Sequence, residues 1–183
     1  MIRLFDPTAY GPMIAAILAD EHLSPLGPGR PREHMRPLLT SFSPATAFAP
    51  HPVRDPSMAA ACHAGLWLYH DFLDESHTLS QGIDTPTGSY WHGIMHRREP
   101  DAANAAYWFR RVGHHPVFEP LAEQARELGL EMRSATWNPF DFIDFCEEER
   151  GTNSARERLL RQVQRREWEL LFDWCFRRAT GLA

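Results

Sequence analysis

Two eight-residue stretches of the chain place histidine or carboxylate at their first, fifth and eighth positions: HDFLDESH at residues 70–77 and HGIMHRRE at residues 92–99. The six residues are His70, Asp74, His77, His92, His96 and Glu99. An α-helix turns by about 100° per residue, so positions i, i+4 and i+7 lie on one face. Each stretch, folded as a helix, therefore presents three imidazole or carboxylate groups on a single face.

Imidazole and carboxylate are ligands that suit Zn(II), Fe(II) and Mn(II). Two histidines and one carboxylate leave coordination positions open for water or substrate, and six such groups are enough for two ions. We therefore predict a divalent metal site (Zn, Fe or Mn) with its ligands drawn from His70, Asp74, His77, His92, His96 and Glu99. Such an ion supports hydrolysis or oxygen-dependent oxidation of a small molecule.

Four further residues are predicted to surround the ligands or to bind substrate: Gln81, Tyr107, Arg97 and Arg111. Gln81 and Tyr107 are polar groups near the ligand-bearing faces, and such groups commonly orient metal ligands. A guanidinium binds carboxylate or phosphate through two hydrogen bonds, so the two arginines fit an anionic substrate. On a helical wheel Arg97 lies opposite His92 and His96, which also fits a structural ion pair elsewhere.

Two interpretations without a metal remain open. Buried polar groups need hydrogen-bonding partners, so the same residues fit a metal-free polar pocket, and either face also fits a solvated helix surface. A single HxxxH motif is weak in a chain with ten histidines, and the duplicated spacing is what favours a metal. The corresponding function classes are a metal-dependent hydrolase or oxygenase, a non-catalytic ligand-binding protein, and an interaction protein that dimerises through its aromatic C-terminal helix.

The elements that carry these residues are predicted to be consecutive helices. Residues 57–81 contain no proline, and Gly82 follows them as a helix stop, which predicts one continuous helix. Pro86 suits the start of the next helix, and Pro100 ends it. The short connection GIDTPTG favours packing of the two helices side by side, which would bring their polar faces together.

The remaining sequence is also helical in pattern. Residues 8–22 read as a short helix, whereas eight of the fifteen prolines fall in residues 24–56. That segment is predicted to be an extended connection with one helical turn at EHMRPLL, and a packed strap, a mobile lid and an inter-subunit arm all fit it. The fold class is all-α: a single-domain helical bundle of about six or seven helices over residues 1–183, with the site-bearing helices in residues 57–113.

Composition narrows the class of protein. The net charge of −5 argues against non-specific nucleic-acid binding, and every one of the nineteen basic residues is arginine, so no lysine is available for Schiff-base chemistry. The three cysteines form no CxxC pair, the N-terminal segment lacks a signal-peptide pattern, and no apolar run spans a bilayer, so we expect a soluble cytoplasmic protein. Nucleotide-cofactor motifs such as GxGxxG are absent. A small-molecule ligand and a homodimer are the partners left open.

The segment YWHGIMHRREPDAANAAYWFRRVGHHP at residues 90–116, with LYHDFLDESHTLSQ before it, resembles a family of uncharacterised small helical proteins of bacteria and fungi. The resemblance extends over residues 60–120. No activity is known for that family, so the resemblance implies no reaction. The roles assigned above rest on residue types and spacing.

Overall fold

The structure, a computed structural model, describes residues 5–182. Residues 1–4 and 183, which belong to the predicted domain and to the N-terminal segment discussed above, lie outside this range. The described chain is all helical, without a strand, as predicted. Its ten α-helices are α1 (Pro12–Leu18), α2 (Arg36–Thr40), α3 (Pro44–Ala47), α4 (Pro56–Tyr69), α5 (Leu73–Ser80), α6 (Pro86–Arg98), α7 (Ala102–Val112), α8 (Phe118–Glu127), α9 (Pro139–Glu149) and α10 (Ala155–Thr180).

The helix count exceeds the predicted six or seven for two reasons. The proline-rich residues 24–56 contain α2 and α3, each of which begins with a proline in its first turn, a position where the missing N–H costs nothing. In addition, the helix predicted over residues 57–81 is divided into α4 and α5. The helix predicted over residues 8–22 is the shorter α1, which follows a 3-10 turn at Pro7–Tyr10.

The prediction of one continuous helix over residues 57–81 is wrong because the chain turns sharply after Tyr69. Asp71 has a φ of 65°, a left-handed conformation that stops helical hydrogen bonding. Its carboxylate is paired with the buried Arg98 guanidinium of α6. Gly29 lies so close that a Cβ there would be 2.5 Å from the Asp71 carboxylate carbon. The ion pair thus stabilises the break, and the absence of a side chain at Gly29 leaves room for the Asp71 carboxylate.

Side chains of α6 and α10 hold the start of the proline-rich segment through its main-chain carbonyls. The donors are guanidinium or amide groups, and the acceptors are the carbonyl oxygens of residues 22–28. The pairs are Arg98 with Gly27 and Pro28, Arg161 with Leu23 and Ser24, Gln164 with Pro25, and Arg165 with His22. Proline offers no N–H, so this segment cannot form a regular pattern of main-chain hydrogen bonds. The side-chain donors satisfy its carbonyl oxygens instead.

The long helix α10 packs against α4, α8 and α9. The Trp168 indole donates to the Gly65 carbonyl oxygen at 2.8 Å, which ties α10 to α4. Glu167 receives a fully buried ion pair from Arg97 of α6, with N···O 2.5 Å, and a 3.1 Å hydrogen bond from the Tyr90 hydroxyl. Buried charges are stable only when paired in this way. None of the helices within residues 5–182 is long and apolar enough to cross a bilayer.

Candidate metal centre

Helices α5 and α6 pack side by side, as predicted from their short connection, and bring three histidines together. His77 lies near the C-terminal end of α5, and His92 and His96 lie one turn apart on α6. Helix α6 begins where Thr85 accepts a 3.0 Å hydrogen bond from the Gly88 N–H, with Pro86 in its first turn. The i, i+4 spacing on α6 then places both of its imidazoles on the face that meets α5.

The three imidazoles form a compact cluster. One ring nitrogen from each of His77, His92 and His96 lies within 4.8 Å of the other two. The ring centroids are 4.6 Å apart for His77 and His92, 5.3 Å for His77 and His96, and 4.8 Å for His92 and His96. Nitrogens bound to a tetrahedral zinc ion are about 3.4 Å apart. Side-chain rotations that move the ring nitrogens by about an ångström would therefore bring all three within bonding distance of one ion. These three residues could therefore hold a metal ion.

Burial keeps the histidines of α6 in the neutral form that binds metals. His92 and His96 are buried, and His77 is half-buried. Burial, with smaller contributions from the neighbouring His96 and His77, lowers the pKa of His92 to about 3. Burial also lowers the pKa of His96, against the opposing charge of Glu99. Both imidazoles are therefore uncharged at neutral pH, each with one nitrogen lone pair available.

Two oxygen atoms lie against the Nδ1 atoms of the α6 histidines. The Ser80 hydroxyl oxygen is 3.1 Å from His92 Nδ1. The Glu99 Oε2 atom is 3.1 Å from His96 Nδ1, although its approach is not aligned well enough for a full hydrogen bond. Contacts of this kind determine which ring nitrogen carries the proton and which is free for a ligand.

Helix α7 covers one side of the cluster. The Trp108 ring lies 4.0 Å from the His92 ring, centroid to centroid, and the Arg111 guanidinium lies 5.3 Å from the Trp108 ring centroid. Arg111 also contacts the exposed Asp84 carboxylate at 3.3 Å. Gly93 allows this close packing, because a Cβ there would lie 2.9 Å from a ring carbon of Phe109 on α7.

The structure places the other predicted ligands outside this cluster. His70 is fully buried beside α1, where its Nε2 atom is 2.8 Å from the Ile17 carbonyl oxygen, and burial lowers its pKa to about 4. Asp74 is exposed on the first turn of α5. Glu99 contacts His96 and is not a member of the group of three. For His70 the reason is the break at residues 70–72, because it removes the common face that a continuous helix would have given His70 and His77.

The predicted surrounding residues are also dispersed. Gln81 and Tyr107 are exposed. Arg97 forms a buried ion pair with Glu167 in the core. Of these four residues, only Arg111 lies near the cluster, where it packs against the Trp108 ring. The sequence reasoning missed Ser80 and Trp108 as site residues. The i+3 spacing of Ser80 from His77 was a usable signal, whereas the position of Trp108 depends on the packing of α7 on α6.

Comparison of the chain with protein-family models, with curated proteins and with solved structures found no match in any of the three. Inference about function therefore rests on the chemistry of the site itself. The feature with the most chemical content is the group of three histidines from two helices, with Ser80 and Glu99 beside it.

Proposed function

We propose that this protein binds one divalent metal ion through His77, His92 and His96. The observation that carries the proposal is the approach of three ring nitrogens, from two separate helices, to within 4.8 Å of one another. A set made only of imidazoles suits Zn(II) or Fe(II) better than Mn(II), which prefers carboxylate oxygens. We therefore favour zinc as the resident ion and Fe(II) as the alternative.

Three protein ligands leave a coordination position for water or substrate, as is usual for catalytic rather than structural zinc sites. A zinc ion there would lower the pKa of bound water to about 7 and supply a nucleophile at neutral pH. His77 is half-buried, so its side of the cluster is the one that solvent reaches. The proposed activity is metal-dependent hydrolysis of a small molecule, or oxygen-dependent oxidation if the ion is Fe(II).

We place this activity in the cytoplasm. The three cysteines, Cys62, Cys146 and Cys175, are buried and unpaired, which agrees with a reducing compartment. The partner proposed for the site is a small molecule. A homodimer is compatible with the site, because all three proposed ligands come from one chain.

The test is metal binding by protein made without a histidine tag and stripped of metal by a chelator. Calorimetric titration with zinc should give one ion per chain. Loss of a residue that only hydrogen-bonds a metal ligand weakens metal binding by up to about 100-fold. His92→Ala removes a ligand itself and should weaken zinc binding further. His34→Ala removes an exposed histidine outside the cluster and should leave the affinity unchanged. Asp74→Asn should also leave it unchanged, although spacing alone predicts Asp74 as a ligand.

Two results would refute the proposal. Equal zinc affinity in the wild type and in His92→Ala would assign binding to surface histidines. No binding by the wild-type protein would leave a metal-free polar pocket, the alternative in which the protein is a non-catalytic ligand-binding protein. Cobalt(II) provides an independent readout, because its visible absorption reports a low-coordinate nitrogen site and should disappear in His92→Ala.

A further inference from the structure

We infer that Ser80 and Glu99 hold His92 and His96 with the proton on Nδ1, so that Nε2 of both rings is the metal-binding atom. This inference rests on the proposed function for its metal, but the tautomers exist without it. A neutral imidazole has one N–H and one lone pair, and the hydrogen bond at one nitrogen selects the other as ligand. Ser80 and Glu99 would thus be positioning residues that act through the ligands.

The argument for His92 follows from the single proton of the Ser80 hydroxyl. The hydroxyl oxygen lies 3.3 Å from the main-chain carbonyl oxygen of His77, which can only accept. It also lies 3.1 Å from His92 Nδ1. If the hydroxyl donates to the carbonyl, its oxygen must accept from the ring, so His92 carries its proton on Nδ1. Ser80 then links two of the three proposed ligands.

The argument for His96 follows from the chemistry of carboxylate. A carboxylate oxygen only accepts, so Glu99 Oε2, at 3.1 Å from Nδ1, favours a proton on that nitrogen. The Glu99 side chain is 34% exposed and can rotate to improve an alignment that leaves His96 Nδ1 without a full hydrogen bond. A carboxylate on the far nitrogen of a ligating histidine fixes the ring and raises its basicity.

The tautomers can be measured on metal-free protein. In 15N-labelled protein, long-range proton–nitrogen correlation spectra distinguish Nδ1–H from Nε2–H for each ring. We expect Nδ1–H at both His92 and His96. Ser80→Ala should shift His92 toward Nε2–H, and Ser76→Ala is the matched control, because Ser76 is a buried serine of the same helix whose hydroxyl has no partner within residues 5–182.

At Glu99 a pair of variants separates the loss of the acceptor from the loss of charge. Glu99→Ala removes the acceptor, so part of the His96 population should move its proton from Nδ1 to Nε2. Glu99→Gln keeps a carbonyl oxygen as acceptor and should keep the proton on Nδ1. Zinc affinity should fall about 10–100-fold in Ser80→Ala and in Glu99→Ala, and should be unchanged in Ser76→Ala. A role limited to folding stability would change neither the tautomers nor the affinity of the folded variants.

The outcomes distinguish this inference from the proposed function. If wild-type protein binds no zinc, the metal site is wrong, and the spectra still test the assignment of the tautomers. If wild-type protein binds zinc but shows Nε2–H at His92 and His96, the inference is overturned. It is also overturned if Ser80→Ala and Glu99→Ala bind zinc as tightly as Ser76→Ala.

Discussion

Replacement of Arg98 by methionine should destabilise the protein strongly. The Arg98 guanidinium is buried and donates to three main-chain carbonyls and to the Asp71 carboxylate. These bonds join the end of α6 to the break between α4 and α5, and so help to set the direction in which α5 carries His77. Methionine keeps a comparable aliphatic stem while removing the charge and every donor.

The magnitude follows from the groups left behind. Removing one partner of a buried ion pair costs about 3–5 kcal/mol, because the other charge remains without compensation. The abandoned carbonyls each add about 1–3 kcal/mol where water cannot reach them. Water can reach the exposed Pro28, and the Leu68 carbonyl keeps a hydrogen bond from the Asp71 N–H, so only the Gly27 carbonyl adds its cost. We expect a total of about 4–8 kcal/mol. The free energy of unfolding of a domain is about 5–15 kcal/mol, so this loss is a large part of the total stability.

A double-mutant cycle isolates the ion pair. Asp71→Asn removes the charge and keeps a residue type that tolerates a positive φ, so it should cost less in the Arg98→Met background than in the wild type. We expect a coupling energy of about 2 kcal/mol. Urea unfolding followed by circular dichroism, with linear extrapolation to water, measures all four proteins.

Arg110→Met is the matched control for this cycle. Arg110 is exposed on α7, so its replacement should change stability by less than about 0.5 kcal/mol. The reasoning fails if Arg98→Met costs less than about 1 kcal/mol. Strict additivity of the Arg98 and Asp71 changes would contradict it as well.

Three further predictions test the core and the cover of the cluster. Burial lowers the pKa of His70 to about 4 in the folded protein, so its protonation favours the unfolded chain as the pH falls below 6.5. His70→Gln should therefore reduce the stability that the protein loses between pH 7 and pH 5 by about 2 kcal/mol. An unchanged loss in this variant would contradict the prediction. Gly65→Ala would place its Cβ 2.8 Å from a ring carbon of the buried Trp91 and should cost about 1–3 kcal/mol in urea unfolding, whereas Gly82→Ala meets only an ordinary contact and should be neutral. Trp108→Ala uncovers the histidine cluster and should speed zinc release to a chelator several-fold; an unchanged rate would show that the ring is no cover.

The part of the site that could be predicted from sequence is the part set by local geometry. His92 and His96 are four residues apart within one helix, so the helical repeat alone places them on one face. The short connection to α5 is also visible in the sequence, and it brings His77 to them. These two local facts account for the all-imidazole cluster, and the prediction that α5 and α6 pack side by side is confirmed.

The prediction of His70 as a ligand depended on a helix that does not exist in one piece. No glycine or proline marks the break at residues 70–72. It is stabilised by Arg98, and Gly29 leaves room for the Asp71 carboxylate; both residues are distant in sequence from Asp71, and no local pattern pairs them with it. The burial of Arg97 could not be predicted from the sequence for the same reason, because its partner Glu167 lies far along the chain on α10.

The way in which α6 and α10 hold residues 22–28 has a consequence for how mutation can act on this protein. The acceptors in that segment are main-chain carbonyls, which every amino acid provides, so most of its side chains can change without loss of an anchor. Leu26, which is fully buried, and His22, whose Nε2 atom lies 2.7 Å from the Tyr69 carbonyl oxygen, are exceptions. The donors are specific side chains, and two of them, Arg98 and Arg161, each donate to two carbonyls of the segment. Tolerance to substitution is therefore unequal across this contact: permissive along the segment itself and strict on the helices beneath it.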